Sequence, residues 1–279
     1  MRILFVGDVV GKPGRDAVEK LLPGIRSQTR ADFVIVNGEN SAGGLGITRD
    51  IAMSMYGKSK VDVITLGNHA WSIRDSHTFL DEEPRILRPS NYPPGVPGRG
   101  LGIFQRPEGA VCVISLQCRV FMEHCDDPFR AIDDLLESVP TTCKIIFVDL
   151  HGEATSEKQA FGWYVDGRVS AVVGTHTHVQ TADERILTKG TAFLTDAGMT
   201  GPINSIIGMD REVATSRFLT GLSSRFEVAA GPAKLCGVVI EVDAQTGKAL
   251  SIERVSGTTG GVEPVDEDEE EDFMSQVNT

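Results

Sequence analysis

The first 22 residues, MRILFVGDVVGKPGRDAVEKLL, contain the pattern on which the fold prediction rests. The apolar run 3–6 predicts a buried strand, and Gly7 and Asp8 end it. Pro13 suits the first turn of a helix, because its φ is already helical and its missing N–H is not needed there. This helix would bury one side, made of Ala17, Val18, Leu21 and Leu22. A strand followed at once by an amphipathic helix is typical of α/β proteins.

The same alternation continues along the chain. Seven further apolar runs predict strands at residues 33–36, 61–66, 110–116, 144–150, 169–173, 191–194 and 235–242. Because these runs are continuously apolar rather than alternating, the strands should be buried on both faces. Helical spacing predicts helices at about 48–58, at 129–139 and from about 156 toward 164. We therefore predict an α/β fold, with the Pro- and Gly-rich stretch 90–102 as an ordered loop.

Composition limits the class of protein. The chain has 279 residues, 41% of them hydrophobic, and a formal charge of −12. This excludes collagen-like, disulfide-scaffold and fully disordered proteins. Eight of the ten residues 263–272 are acidic, so residues 257–279 are predicted to form a solvated, disordered tail. The rest of the chain carries no basic stripe, so binding to duplex nucleic acid is not expected.

Cysteine usage and hydropathy indicate a cytoplasmic protein. The five cysteines are odd in number and form no Cys-x-x-Cys pair, so we expect reduced thiols that mostly fill the core. The first apolar run is too short for a signal peptide. No stretch approaches the ~18 apolar residues of a membrane helix, so no membrane partner is expected.

Polar side chains directly follow five of the predicted strands. If these strands are parallel neighbours, the polar groups meet at one edge, because ligands of open α/β sheets bind beyond the carboxyl ends of the strands. Each piece alone is also explained by a turn or a helix cap, but five at separate strand ends are not. The candidates for a shared site are Asp8, Glu39, Asn40, Asn68, His69, His151, His176 and His178.

These residue types favour a metal site over a nucleophile–base triad. Imidazole binds Zn, Fe, Ni and Cu, whereas carboxylate and amide oxygens suit Mn and harder ions. The candidate ligands exceed what one ion needs, which predicts two ions about 3.5–4 Å apart with a bridging carboxylate. His77 and His124 lie outside these motifs and are expected to be surface or structural residues. Glu153 and Asp196 are candidates to orient ligating histidines, with a helix cap and a strand end as equal alternatives.

Two glycine-rich stretches resemble phosphate-binding loops without fitting them. Residues 7–13, GDVVGKP, are one residue short of a P-loop, and Pro13 stands where Ser or Thr must reach Mg²⁺. Residues 43–46, GGLG, lack the dinucleotide-binding spacing. They are expected to form a flexible loop at the rim of the site or a plain turn.

Taken together, the motifs resemble the calcineurin-like metallophosphoesterase superfamily and, more narrowly, its YmdB-type branch of bacterial phosphodiesterases. The strings GDVVGKPG (7–14), NGENSAGG (37–44), EATSEK (153–158) and TDAGMTGP (195–202) carry the narrower match, which covers about residues 1–255. Val10 stands where the general pattern has His, Glu39 replaces the bridging Asp, and Ala70 follows Gly-Asn-His. These departures are the ones that the YmdB-type branch shows.

The resemblance implies a double β-sheet sandwich flanked by helices, the four-layer α/β/β/α metallophosphoesterase fold, spanning residues 1–256. It implies that one ion is bound by Asp8, Glu39, Asn40 and His178. The other ion is assigned to Glu39, Asn68, His151 and His176. Glu39 would then bridge the two ions, and His69 is left as the catalytic acid. Fe or Mn is implied as a divalent or mixed-valence pair, with Zn and Mg as alternatives.

The implied function is a dinuclear-metal-dependent phosphodiesterase acting on 2′,3′-cyclic or 3′,5′-cyclic nucleotides. A hydroxide bridging the ions is the expected nucleophile, with His69 as general acid. The expected partner is thus a small phosphoester substrate. Two alternatives stay open: a phosphomonoesterase such as a nucleotidase, and a metal-stabilised regulatory scaffold with little turnover. The sequence leaves the oligomeric state open, a homo-oligomer included.

Overall fold

The computed structural model describes residues 1–223, 225 and 227–260. Of the predicted acidic tail, residues 257–279, the part from residue 261 onward lies outside the described residues. The strands, in chain order, are β1 (Arg2–Val6), β2 (Phe33–Asn37), β3 (Val63–Thr65), β4 (Ile86–Leu87), β5 (Leu101–Phe104), β6 (Val111–Gln117), β7 (Ile145–His151), β8 (Ala171–Thr175), β9 (Arg185–Ile186), β10 (Ala192–Leu194), β11 (Gly201–Pro202), β12 (Ala233–Val242) and β13 (Ala249–Thr258). The helices are α1 (Gly11–Thr29), α2 (Arg49–Gly57), α3 (His77–Glu82), α4 (Pro128–Ser138), α5 (Thr155–Tyr164) and α6 (Arg211–Thr220).

The strands form two sheets. The first has the order β11-β12-β1-β2-β3-β4, with β13 also paired to β12. Strands β1 to β4 run parallel, whereas β12 is antiparallel to β1. The second sheet has the order β5-β6-β7-β8-β10-β9, in which β6, β7, β8 and β10 run parallel. The first sheet therefore has antiparallel strands on one side only, since its other edge strand, β4, is parallel to β3. The second sheet has a parallel centre with an antiparallel strand at each edge.

Side-chain alternation along the strands builds four layers. Phe5 and Phe147 point inward from opposite sheets, and their ring centroids lie 5.1 Å apart in the core between the sheets. The outer face of the first sheet packs against α1 through residues such as Leu22. The outer face of the second sheet packs against Ile132 of α4 and Phe161 of α5. The arrangement is the α/β/β/α sandwich that the resemblance implies, which confirms the fold class.

Most of the predicted elements are present. All eight predicted strands and all four predicted helices occur within a few residues of their expected positions. Thr48 caps α2, because its hydroxyl accepts a hydrogen bond from the N–H of Ile51. The loop predicted over 90–102 is wrong at its end, since Leu101 begins β5 and pairs with Ile114. The unpredicted strands are short, apart from β13, whose side chains are mostly half-buried or exposed.

The topology places the polar residues of interest. Strands β1, β2 and β3 of the first sheet and β7 and β8 of the second end on the same side of the sandwich. The residues that follow them therefore meet between the two sheets rather than along the edge of one. Within the described residues, no helix combines the length and apolar character that crossing a membrane requires.

Candidate metal centre

Three of the predicted ligands meet around the Nε2 atom of a fourth, His151. This nitrogen lies 3.1 Å from Glu39 Oε1, 2.9 Å from Asn68 Oδ1 and 3.1 Å from His176 Nδ1. Ligand atoms of Glu39, His151 and His176 all lie within 4.8 Å of one another. Two imidazoles, a carboxylate and an amide oxygen converging on one point form a donor set suited to a transition-metal ion.

The other predicted ligands lie directly beside this group. Asn40 Nδ2 is 3.2 Å from Glu39 Oε1 and 3.1 Å from His178 Nε2. Since a half-turn exchanges the nitrogen and oxygen of an amide, Asn40 can present its oxygen at the same place. Asp8 is fully buried and accepts the backbone N–H of His176 through Oδ2 at 3.2 Å. The structure thus brings all seven predicted ligands into one cluster.

Two features of the cluster fit a cation. Among the described residues, Asp8 Oδ1 is buried without a hydrogen-bond partner. Leaving a buried carboxylate oxygen unpaired is costly, and a cation would satisfy it. Position 67 must also be glycine, because a Cβ there would lie 2.2 Å from Glu39 Oε2 and 2.4 Å from His151 Nε2. The backbone at Gly67 therefore forms a close wall around the ligand atoms.

The two histidines of the 176–178 segment are held by their outward-facing nitrogens. His178 Nδ1 lies 2.7 Å from the carbonyl oxygen of Ile207, so it must donate a proton there and leave Nε2 free for a ligand. His176 Nε2 lies 3.3 Å from Glu153 Oε2, while its Nδ1 faces His151. Both side chains therefore direct one unprotonated nitrogen toward the cluster.

The backbone of this segment is strained. His176 has φ 102° and His178 has φ 66°, a left-handed region that side chains other than glycine rarely adopt. Lys158 holds the segment from behind, since its Nζ donates to Thr175 O at 2.7 Å and to Asp196 Oδ2 at 2.8 Å. Asp196 in turn accepts the backbone N–H of Thr177 at 3.1 Å. A buried ion pair thus fixes the geometry in which both histidines face the cluster.

The three remaining histidines differ in their positions relative to the cluster. His69 is half-buried at the edge of the cluster, and its backbone N–H lies 3.4 Å from Glu39 Oε2. Its ring lies near Asn68 and Ser72, with nitrogen-to-partner distances of 3.4 Å to each. His77 contacts the carbonyl oxygen of Trp71, and His124 is exposed. His69 therefore borders the ligand cluster without occupying its centre.

Burial and mutual charge shift the pKa values of the ligands. Burial raises the pKa of Asp8 to about 7. Burial also favours protonated Glu39, but the adjoining His151 outweighs it and lowers the pKa of Glu39 to about 2. Burial opposes a charged His151, but the Glu39 carboxylate outweighs it and raises the pKa of His151 to about 9. Burial, aided by the charge of His151, lowers the pKa of His176 to about 3.

These pKa shifts predict that divalent cations bind more tightly as the pH rises from about 6 to about 9. A metal ligand must be deprotonated, and Asp8 below pH 7 and His151 below pH 9 each hold a proton that the cation displaces. Near pH 8 the displaced proton belongs to His151, so the dissociation constant should fall about tenfold per pH unit. Competition with a chromophoric chelator measures this slope, and a pH-independent affinity would contradict the assignment of His151.

Glu153 and Asp196, the two carboxylates considered as candidates to orient ligating histidines, differ in their surroundings. Glu153 contacts His176 Nε2 but is half-exposed, whereas Asp196 is fully buried and contacts Lys158. Sequence reasoning did not assign Asp149, which lies two residues before His151 on the same face of β7. One signal in the sequence could have identified it: a charged residue inside an apolar strand run, two positions from a candidate ligand and therefore on the same strand face.

Lys12, the lysine of the P-loop-like stretch, lies at the protein surface. Its Nζ lies 2.6 Å from Asp16 Oδ2, and its side chain is largely exposed. Together with Lys20 and Arg225 it lines a groove of about 670 Å³ along α1. The lysine is therefore engaged outside the ligand cluster.

Comparisons with known proteins identify relatives of this chain. The model of a family described as YmdB-like protein matches residues 4–255. A Bacillus subtilis (strain 168) protein named 2′,3′-cyclic-nucleotide 2′-phosphodiesterase is 52% identical over 255 residues, which cover 91% of this chain and 96% of that protein. The crystal structure of a phosphatase from Mycoplasma pneumoniae is 34% identical, with a TM-score of 0.88 over 92% of this chain and 93% of that one. The calcineurin-like phosphoesterase YfkN from Bacillus subtilis shares the fold alone. It is 11% identical, with a TM-score of 0.57 over 100% of this chain and 96% of that one.

Proposed function

Because this chain belongs to the YmdB-like protein family, we propose that it hydrolyses 2′,3′-cyclic nucleotides with the help of two metal ions. The relative that is 52% identical is named for this substrate, and it is matched over nearly its whole length. The observation that supports the proposal is the convergence of seven candidate metal ligands, with His69 at their edge.

The proposed ligand sets follow the resemblance. One ion would be held by Asp8, Glu39, Asn40 and His178, and the other by Glu39, Asn68, His151 and His176. When bound, two cations lower the pKa of water and offset the charge that develops on phosphate oxygens. We take Fe or Mn as the first candidates, with Zn and Mg as alternatives, because the nitrogen and oxygen donors accept all four.

The chain's own residues supply the remaining step. When water attacks phosphorus, the bond from phosphorus to the 2′ oxygen breaks and that oxygen takes up a proton. His69, half-buried at the edge of the cluster, is the proposed donor of this proton. Because the ester is cyclic, this step gives a single product, the nucleoside 3′-monophosphate, whose 2′ hydroxyl is free.

A product assay tests the proposed function. Protein purified without added metal, and then loaded with Mn²⁺, is given a 2′,3′-cyclic nucleotide, a 3′,5′-cyclic nucleotide and a nucleoside monophosphate in parallel. We expect the 2′,3′-cyclic substrate to yield the 3′-monophosphate at the highest rate. Preferred hydrolysis of the monophosphate would support the phosphomonoesterase alternative, and turnover no higher than that of free Mn²⁺ would support the scaffold alternative.

His69→Ala should keep the metals but lose activity. Removing a general acid costs about 10²–10⁴ in rate, and the cost falls when the leaving group needs no proton. We therefore expect a large loss on a 2′,3′-cyclic nucleotide and a much smaller loss on a p-nitrophenyl phosphodiester. Metal content by elemental analysis serves as the control. An equal loss on both substrates would argue against the role of His69 as an acid.

A further inference from the structure

A buried carboxylate connects the two sheets beneath the ligand cluster. Asp149 is fully buried on β7, on the strand face that carries His151. From the first sheet, Asn37 Nδ2 donates to its Oδ2 at 3.0 Å and the hydroxyl of Thr65 donates at 2.5 Å. From the second sheet, the hydroxyl of Thr175 donates to Oδ1 at 2.7 Å. Asp149 is thus an acceptor for groups from three other strands.

Thr175 connects this carboxylate to His151. Its hydroxyl oxygen lies 2.9 Å from His151 Nδ1, and the two residues are register partners on β7 and β8. A hydroxyl has one hydrogen, and that of Thr175 points to Asp149, so the remaining lone pairs can only accept. Among the described residues, Thr175 is the hydrogen-bond partner of Nδ1, since the carboxylate oxygen Asp8 Oδ1 lies 3.9 Å away, beyond hydrogen-bond reach. The geometry therefore requires a proton on Nδ1 of His151.

We propose that Thr175 and Asp149 are positioning residues that keep the proton of His151 on Nδ1, so that Nε2 is the nitrogen that binds the metal ion. The inference rests on the proposed function for the identity of the metal centre. Ligating histidines usually donate their second N–H to a carboxylate or carbonyl. In this protein a threonine hydroxyl relays that contact, and the carboxylate behind it also accepts hydrogen bonds from Asn37 and Thr65 of the other sheet.

Two threonines that both donate to Asp149 allow a matched test. Thr175→Val removes the hydroxyl that contacts His151, whereas Thr65→Val removes a hydroxyl that contacts Asp149 alone. We expect Zn²⁺ affinity, measured by chelator competition, to fall about 10–100-fold in Thr175→Val and to change by less than about threefold in Thr65→Val. Thr175→Ser, which keeps the hydroxyl, should restore the affinity. Equal losses in both valine variants would overturn the proposal, because they would show a purely structural role.

The protonation of the ring is observed directly by ¹H–¹⁵N NMR of the histidine side chains. In the wild-type chain the Nδ1 of His151 should carry a proton both with and without Zn²⁺, and Thr175→Val should lose the slow exchange of that proton. A wild-type spectrum in which Nδ1 carries no proton would overturn the proposal, whatever the activity. If the wild type hydrolysed no cyclic nucleotide, the proposed function would fail while this spectrum still decided the role of Thr175.

Discussion

Glu39→Gln should yield a folded chain that binds at most one cation tightly and that hydrolyses a 2′,3′-cyclic nucleotide at least about a thousandfold more slowly. The carboxylate of Glu39 is buried between the two proposed ligand sets, with Oε1 near both His151 and Asn40. Glutamine keeps the shape but removes the negative charge that, in the proposed ligand sets, would bind both ions. A thousandfold loss corresponds to about 4 kcal/mol of transition-state stabilisation, the order expected for a catalytic metal.

Glu153→Gln provides the matched control for this prediction. Glu153 also contacts a candidate ligand, since its Oε2 lies 3.3 Å from His176 Nε2, but it is half-exposed and outside both proposed ligand sets. We expect this variant to keep two ions per chain and to lose no more than about tenfold in activity. Steady-state kinetics and elemental analysis measure both variants. The bridging role would be refuted if Glu39→Gln retained two ions and near-normal turnover.

Lys158→Met should destabilise the fold by about 3–5 kcal/mol, because it leaves the buried Asp196 carboxylate without its counter-charge. The Lys158 and Asp196 side chains are 1% and 0% exposed, so solvent cannot replace the lost partner. For a chain of this size the melting temperature should drop on the order of 10 °C. Because Lys158 also holds Thr175 O, the metal affinity of the 176–178 segment should weaken as well.

Two further variants make this prediction specific. Lys58→Met removes an exposed lysine whose partner, Glu19, is also exposed, and it should cost at most about 0.5 kcal/mol. Lys158→Met combined with Asp196→Asn should be more stable than Lys158→Met alone, because no unpaired charge is then buried. Thermal and urea unfolding measure all three. A loss in Lys158→Met as small as that in Lys58→Met would contradict the buried ion pair.

The central strands and the polar cluster at their ends were predictable because both follow from local patterns. Continuous apolar runs indicated the central strands, and the polar residues after them indicated where the strands end. The resemblance to the YmdB-type branch is confirmed by the family that matches residues 4–255. It supplied the two-sheet arrangement, which periodicity alone does not distinguish from one open sheet.

The residues that support the ligands were harder to predict. The role of Asp149 could be recognised only after β7 was known to lie opposite β2 and β3, because two of its hydrogen-bond donors come from the other sheet. Lys158 lies in a helix where a lysine is ordinarily exposed, and its burial depends on how α5 packs near Asp196. Such contacts join residues that are distant in sequence, so no local pattern reports them.

The most direct test of the paired metal centre is anomalous X-ray scattering from crystals of the metal-loaded protein. We predict two peaks per chain, about 3.5–4 Å apart, with Glu39 between them. One peak should lie about 2.0–2.2 Å from His151 Nε2, and the other should be closest to Asp8 Oδ1 and His178 Nε2. A single peak, or a pair of peaks away from Glu39, would contradict the account.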